Sequence, residues 1–151
     1  MAKVVRIVVH CTGEPSNAYR SLEYYRKLFF VNYNWKHWGY HVVVYQNGTY
    51  DILQPLPSVT AAGGFITDAT LANGAKGYNS SSLHIAYVGG SDPVSRLAHD
   101  TRTPEQKETL RVLITKWKHQ YGVTEVVGHF QLPGVKKACP CFDARKEYEN
   151  V

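Results

Sequence analysis

The sequence predicts an α/β domain: a central mixed β-sheet flanked by helices. Three observations carry this. Short apolar runs at 4–10, 42–45, 83–88 and 125–128 are strand-length and rich in Val, Ile, Leu and Tyr. Helical patterns fall between them, and that alternation is the mark of α/β architecture. Asn47-Gly48 sits between two strand-like runs and marks a hairpin, which adds an antiparallel neighbour to the sheet. The 151 residues suffice for one domain with a real core, so a single domain over 1–151 is expected.

The elements follow in order. Residues 4–10, Val-Val-Arg-Ile-Val-Val-His, form a first strand, with Val5, Ile7 and Val9 on one face and Val4, Val8 and His10 on the other. His10 and Cys11 point to opposite sides if the strand runs through both. A polar loop with Pro15 leads to Ser21, a cap for a helix carrying Leu22, Tyr25, Leu28 and Phe29 on one side. The pattern sets no clear end for this helix, because Phe30 to Trp38 is aromatic-rich and irregular, and Gly39 is a natural stop. The hairpin pairs 41–46 with 49–53 through a two-residue type I′ turn. Residues 55–82 have no strong period, and a loop of that length in a compact domain is usually functional. A strand at 83–88 ends at Gly89-Gly90. The strongest helix starts at a Thr103/Gln106 capping box with Pro104 in the first position. Its stripe is Leu110, Leu113, Ile114, Trp117 and Tyr121, and Gly122 stops it. Strand 125–128, a loop from His129 to Cys141 and a short helix capped by Asp143 complete the chain.

Composition excludes several classes. No apolar run approaches the roughly 20 residues that span a bilayer. The N-terminal apolar segment is interrupted by Arg6, so no signal peptide is expected. The formal charge of +5 favours polyanionic partners, an anionic cell-wall polymer among them. There is no dense Lys/Arg block of the kind a nucleic-acid binder needs. Three cysteines without an export signal argue against a disulfide framework.

Chemistry concentrates at two strand ends. His129 closes strand 125–128, and Cys139 follows after a Pro-Gly loop. Imidazole and thiolate are good zinc ligands, but two do not make a site. His10, at the end of the first strand, is the best third donor, and three protein ligands leave a fourth position open, the catalytic pattern. The spacing alone matches no tight metal motif, and a buried thiol beside a loop-capping histidine fits it as well.

Several segments then line up with one family. Ile7-Val8-Val9-His10-Cys11-Thr12, Gly39-Tyr40-His41, Asn47-Gly48-Thr49, Ala75-Lys76-Gly77-Tyr78-Asn79, Val88-Gly89-Gly90 and Lys137-Ala138-Cys139-Pro140 with Phe142-Asp143 occur in order across nearly the whole chain. In these pieces the chain resembles the zinc-dependent N-acetylmuramoyl-L-alanine amidases, which include T-odd phage lysozymes and peptidoglycan recognition proteins. The resemblance implies one Zn²⁺ on His10, His129 and Cys139. It implies catalytic roles for Tyr40 and Lys137, with Lys137 stabilising an oxyanion and Tyr40 orienting water or bonding the oxyanion. It implies hydrolysis of the amide between N-acetylmuramic acid and L-alanine of the stem peptide in bacterial peptidoglycan.

An endolysin, monomeric and held in the host cytoplasm until released to the wall, is the expected setting. A non-catalytic peptidoglycan-binding module is the alternative, disfavoured because Cys139 is present. Lys76, Tyr78 and Asn79 are candidates for the substrate-groove wall, against a turn held by Asn79 and Gly77. The chain departs from the family at Gly74, where a histidine is frequent, and at His84, where a glycine is frequent. His41 is expected in the core, Cys141 outside the ligand set, Cys11 as a small core residue, and His37, His99 and His119 at the surface.

Overall fold

A computed structural model describes residues 2–151. Among the described residues nine strands occur in chain order: β1 Ala2–Lys3, β2 Arg6–Cys11, β3 Glu14–Pro15, β4 Val42–Val44, β5 Tyr50–Ile52, β6 Phe65–Ile66, β7 Ser82–Tyr87, β8 Gly90–Ser91 and β9 Glu125–Gly128. The α-helices are α1 Leu22–Arg26, α2 Pro104–Tyr121 and α3 Ala144–Glu147. The central sheet has the order β5-β4-β7-β2-β9. All neighbours are parallel except β4 and β5, the hairpin pair. The sheet is therefore mixed, as the sequence predicts.

The two faces of the sheet bury different things. Ile7 and Val9 pack with Leu83, Ile85, Leu110, Ile114 and Trp117, so α2 covers one face through its apolar stripe. Val8 points to the other face, where Ala75, Val127 and Leu132 meet it. Tyr25, Phe29 and Trp38 form a further cluster against Val43 and Val88. The capping box of α2 is complete: Thr103 Oγ1 accepts from Gln106 N at 3.1 Å, and Gln106 Oε1 accepts from Thr103 N at 3.0 Å. Gly122 ends the helix in the left-handed region, at φ 64°. None of the described helices is long and apolar enough to cross a membrane.

Three local expectations are corrected. The strand at 4–10 is broken before Arg6, because Val4 N bonds Gly64 O and Val5 N bonds Ser81 O, away from the central ladder. That break reverses the alternation: Val4 joins the α2-facing core and Val5 is 45% exposed.

The hairpin does not use a type I′ turn. Gly48 N bonds Tyr45 O and Tyr45 N bonds Thr49 O, and only Gly48 takes a positive φ, +86°. This is the three-residue loop in which glycine sits at the left-handed bulge position.

The first helix ends well before Gly39. It passes into a π-helical segment, Lys27–Asn32, and stops with Asn34 at φ 54°. Gly39 has a different purpose: a Cβ there would lie 2.6 Å from the Phe29 ring.

The 55–82 stretch is pinned at several points. Tyr121 Oη donates to Pro57 O, Gln54 Nε2 to Ala69 O and Asn73 N to Trp38 O.

Candidate metal centre and cleft

The carboxyl ends of β2 and β9 lie side by side, with Val9 opposite Gly128. The next residue on each chain is a histidine, so His10 and His129 are neighbours by register. Their ring centroids are 4.8 Å apart. Ligand sites at the carboxyl ends of parallel strands are the general rule for such sheets.

The third donor arrives by a closed loop. His129–Gln131 forms a 3₁₀ turn, and Phe130 N donates to Cys139 O at 2.9 Å, which locks the loop's base. Gln131 braces the same turn: its Oε1 accepts from Gly128 N and its Nε2 donates to Asp143 Oδ1. Gly128 must lack a side chain, since a Cβ would meet Pro140 Cδ at 2.6 Å.

These constraints bring one donor atom each from His10, His129 and Cys139 within 4.8 Å of one another. Cys139 Sγ lies 3.8 Å from His10 Nδ1. Zinc at about 2.0–2.3 Å from N and S in tetrahedral geometry separates such a pair by roughly 3.6 Å. The donor set and its spacing therefore fit zinc. Cys11 N donates to Cys139 Sγ at 3.1 Å, which aims the sulfur.

Electrostatics keep the nitrogens available. Burial, then His129 and Lys137, hold the His10 imidazole far below its ordinary range. Burial, with Lys137 beside it, pushes His129 down to about 4. Both rings are neutral at pH 7, the form that ligates metal.

The trio lines a cleft of about 440 Å³. Tyr40 and Lys137 both line it. The Tyr40 ring centroid is 5.2 Å from that of His10. Burial and the nearby cysteines raise the Tyr40 phenol well above its usual range, so it is a neutral hydroxyl at pH 7. One wall is aromatic: Tyr24, Phe29, Tyr33 and Trp35 come from α1 and the segment after it. Tyr33 and Trp35 are more than a third exposed, whereas Tyr25 and Phe29 are packed into the core. The fold thus divides these aromatics between the exposed cleft wall and the core.

Lys76, Tyr78 and Asn79 are not part of the cleft lining. Asn79 Oδ1 accepts from Ala75 N at 2.8 Å, and Tyr78 Oη donates to Pro133 O at 2.9 Å. Asn79 holds the loop, and Tyr78 ties it to the His129–Cys139 loop. Asn73 and Gly74 are the residues of that loop that reach the cleft. His41 is fully buried in the core, with Nε2 donating to Thr70 O at 2.7 Å. Cys141 lies outside the donor trio and gives its thiol to Gly90 O. Cys11 is a buried core residue, and His99 and His119 are exposed.

Glu14 also lines the cleft, and the sequence reading missed it. Its carboxylate takes the Tyr25 hydroxyl at 2.6 Å and the Arg20 guanidinium. No local pattern marks it, because its partners lie on the following loop and helix.

A trio of donors that could hold a metal ion thus lines a cleft at the strand ends. The comparisons make the assignment specific. The sequence profile of the N-acetylmuramoyl-L-alanine amidase family matches residues 1–142, and the chain belongs to that family. The endolysin of Klebsiella phage KP32 is 29% identical over 145 residues, covering 96% of this chain and 85% of the relative. That of Escherichia phage T7 is 28% identical over 147 residues, covering 95% and 85%. The fold resembles the amidase LysC from Clostridium intestinale URNW, with a TM-score of 0.71, 19% identity, and 97% and 82% of the two chains covered. It also resembles Drosophila PGRP-LB, with a TM-score of 0.69, 16% identity, and 99% and 82% covered.

Proposed function

We propose that this chain is a zinc-dependent endolysin that hydrolyses the amide between N-acetylmuramic acid and L-alanine in bacterial peptidoglycan. One observation carries the reading: two neutral imidazoles and a sulfur from three distant segments converge in one cleft that all three residues line. Family membership and the endolysin relatives support the choice of substrate.

His10, His129 and Cys139 would hold one Zn²⁺, which supplies Lewis acidity and lowers the pKa of bound water towards about 7. Lys137 brings a positive charge to the cleft beside these ligands and stabilises the oxyanion that develops on the substrate carbonyl. Tyr40 contributes a neutral O–H that donates to the same oxygen or orients water. The aromatic wall and the cleft's depth position the sugar and stem peptide against these groups. The substrate is met at the cell wall after release from the host cytoplasm, and the chain works there as a monomer.

The test is digestion of purified peptidoglycan followed by mass spectrometry. New L-alanine amino termini without new reducing sugar ends are expected, with activity lost on chelation and restored by zinc. New reducing ends, or hydrolysis indifferent to chelation, would defeat the reading. Zinc-loaded protein that binds the wall without cutting it would establish a recognition module instead.

A further inference from the structure

His84 lies in the middle of β7, flanked by Leu83 and Ile85, and is completely buried. A histidine there is costly unless its ring is partnered. In the parallel register His84 stands opposite Val8 and His10 opposite Ala86, so the two histidines are diagonal neighbours on one sheet face. His10 Nε2 and His84 Nδ1 are 2.8 Å apart. The other nitrogen of His10, Nδ1, faces Cys139 Sγ.

Two features hold the His84 ring in this place. Its plane stacks on His41, with centroids 6.0 Å apart and an interplanar angle of 4°. His41 is itself fixed: Nε2 donates to Thr70 O and Nδ1 accepts from His84 N at 3.0 Å. Gly74 leaves the room, since a Cβ at 74 would sit 2.3 Å from His84 Nδ1. The absence of a side chain at 74 and the imidazole at 84 are thus one packing solution.

Resting on the zinc reading above, we propose that His84 is a positioning residue that sets the tautomer and ring orientation of His10. If His10 ligates through Nδ1, its proton must be on Nε2, and His84 Nδ1 must accept it. The proton of His84 is then on Nε2, which is buried and has no hydrogen-bond partner among the described residues. Leaving such a donor unpaired is a cost, and the site accepts it in exchange for a fixed ligand. Partners behind a ligating histidine typically change metal affinity by about 10–100-fold when removed.

Zinc affinity, measured by competition with a chromophoric chelator, tests this without using activity. The wild-type chain binds one zinc. His84→Leu, close in volume but without an acceptor, weakens binding about 10–100-fold. His84→Asn, whose Oδ1 replaces Nδ1, restores affinity to within about threefold. Gly74→Ala displaces the ring and weakens zinc as His84→Leu does. Combining it with His84→Leu adds little further, because both act through one contact. Equal affinity for wild type and His84→Leu, or equally weak binding by the Leu and Asn variants, overturns the positioning role alone. A wild-type chain that takes up no zinc overturns the metal reading and this role together.

Discussion

Cys139 Sγ accepts a hydrogen bond from the backbone N–H of Cys11 at 3.1 Å, one residue beyond the candidate ligand His10. The sulfur is thereby aimed by the same strand that supplies an imidazole. Cys139→Ser replaces a soft ligand by a poor one without disturbing the core. Zinc at about a hundred times its Kd stabilises a native protein by about 2.7 kcal/mol. Wild type shows that increment in urea unfolding with and without chelator, and Cys139→Ser does not. An equal increment in both would remove Cys139 from the ligand set.

Tyr40 and Lys137 line the cleft but lie outside the donor trio. Lys137→Ala is expected to lower kcat about 10²–10³-fold, the usual range for losing one oxyanion-stabilising group. Tyr40→Phe keeps the ring's packing on Phe29 and loses only the hydroxyl, so a fall of about 10–100-fold is expected. Both variants retain zinc by elemental analysis. Full hydrolysis rates with zinc bound would remove these roles.

Gly39→Ala places a methyl 2.6 Å from the buried Phe29 ring, which also stacks on Trp35 at 5.5 Å. Overpacking of this kind costs about 1–3 kcal/mol. Chemical denaturation reads the loss directly. Because Phe29 and Trp35 line the cleft, KM for peptidoglycan fragments rises as well, with zinc content unchanged.

His41 gives a pH dependence that is separate from the metal ligands. Burial pushes it down to about 4, with the Thr70 carbonyl opposing. The unfolded chain has the ordinary value near 6.5 and binds the proton first. Stability from neutral His41 is therefore complete above about pH 6.5 and is lost as pH falls towards 4. The slope is about 1.4 kcal/mol per pH unit, or about 3 kcal/mol across the window. His41→Gln removes that share of the slope in urea titrations between pH 7 and 4. An unchanged slope would show that His41 does not titrate this way.

Much of the fold was legible before any coordinates. The α2 start is written locally, as Thr103, Pro104 and Gln106, and its apolar stripe repeats with helical period, so nothing distant had to be known. The hairpin's place was clear from Asn47-Gly48, but its turn type was not. Thr109 Oγ1 donates to Gly48 O, and the docking of α2 on the loop accompanies a geometry that the dipeptide alone does not specify. The break between Val5 and Arg6 was invisible, because its cause lies in Gly64 and Ser81, some sixty to seventy-five residues away. Gly39 was misread as a helix stop because the Phe29 ring that requires it is met only in three dimensions.

The sequence by itself determined the sheet and the main helix, since strand patterns and caps are local properties of the chain, and its ordered motifs named three candidate donors through the resemblance they carry. Only the tertiary structure decided which groups meet. The parallel register of β2 and β9 puts His10 beside His129, and the Phe130–Cys139 hydrogen bond returns the sulfur to them. The same packing removes Tyr78 and Asn79 from the cleft and sets His84 behind His10. Side-chain contact depends on register and loop closure across distant segments, and neither is encoded in any short stretch of sequence.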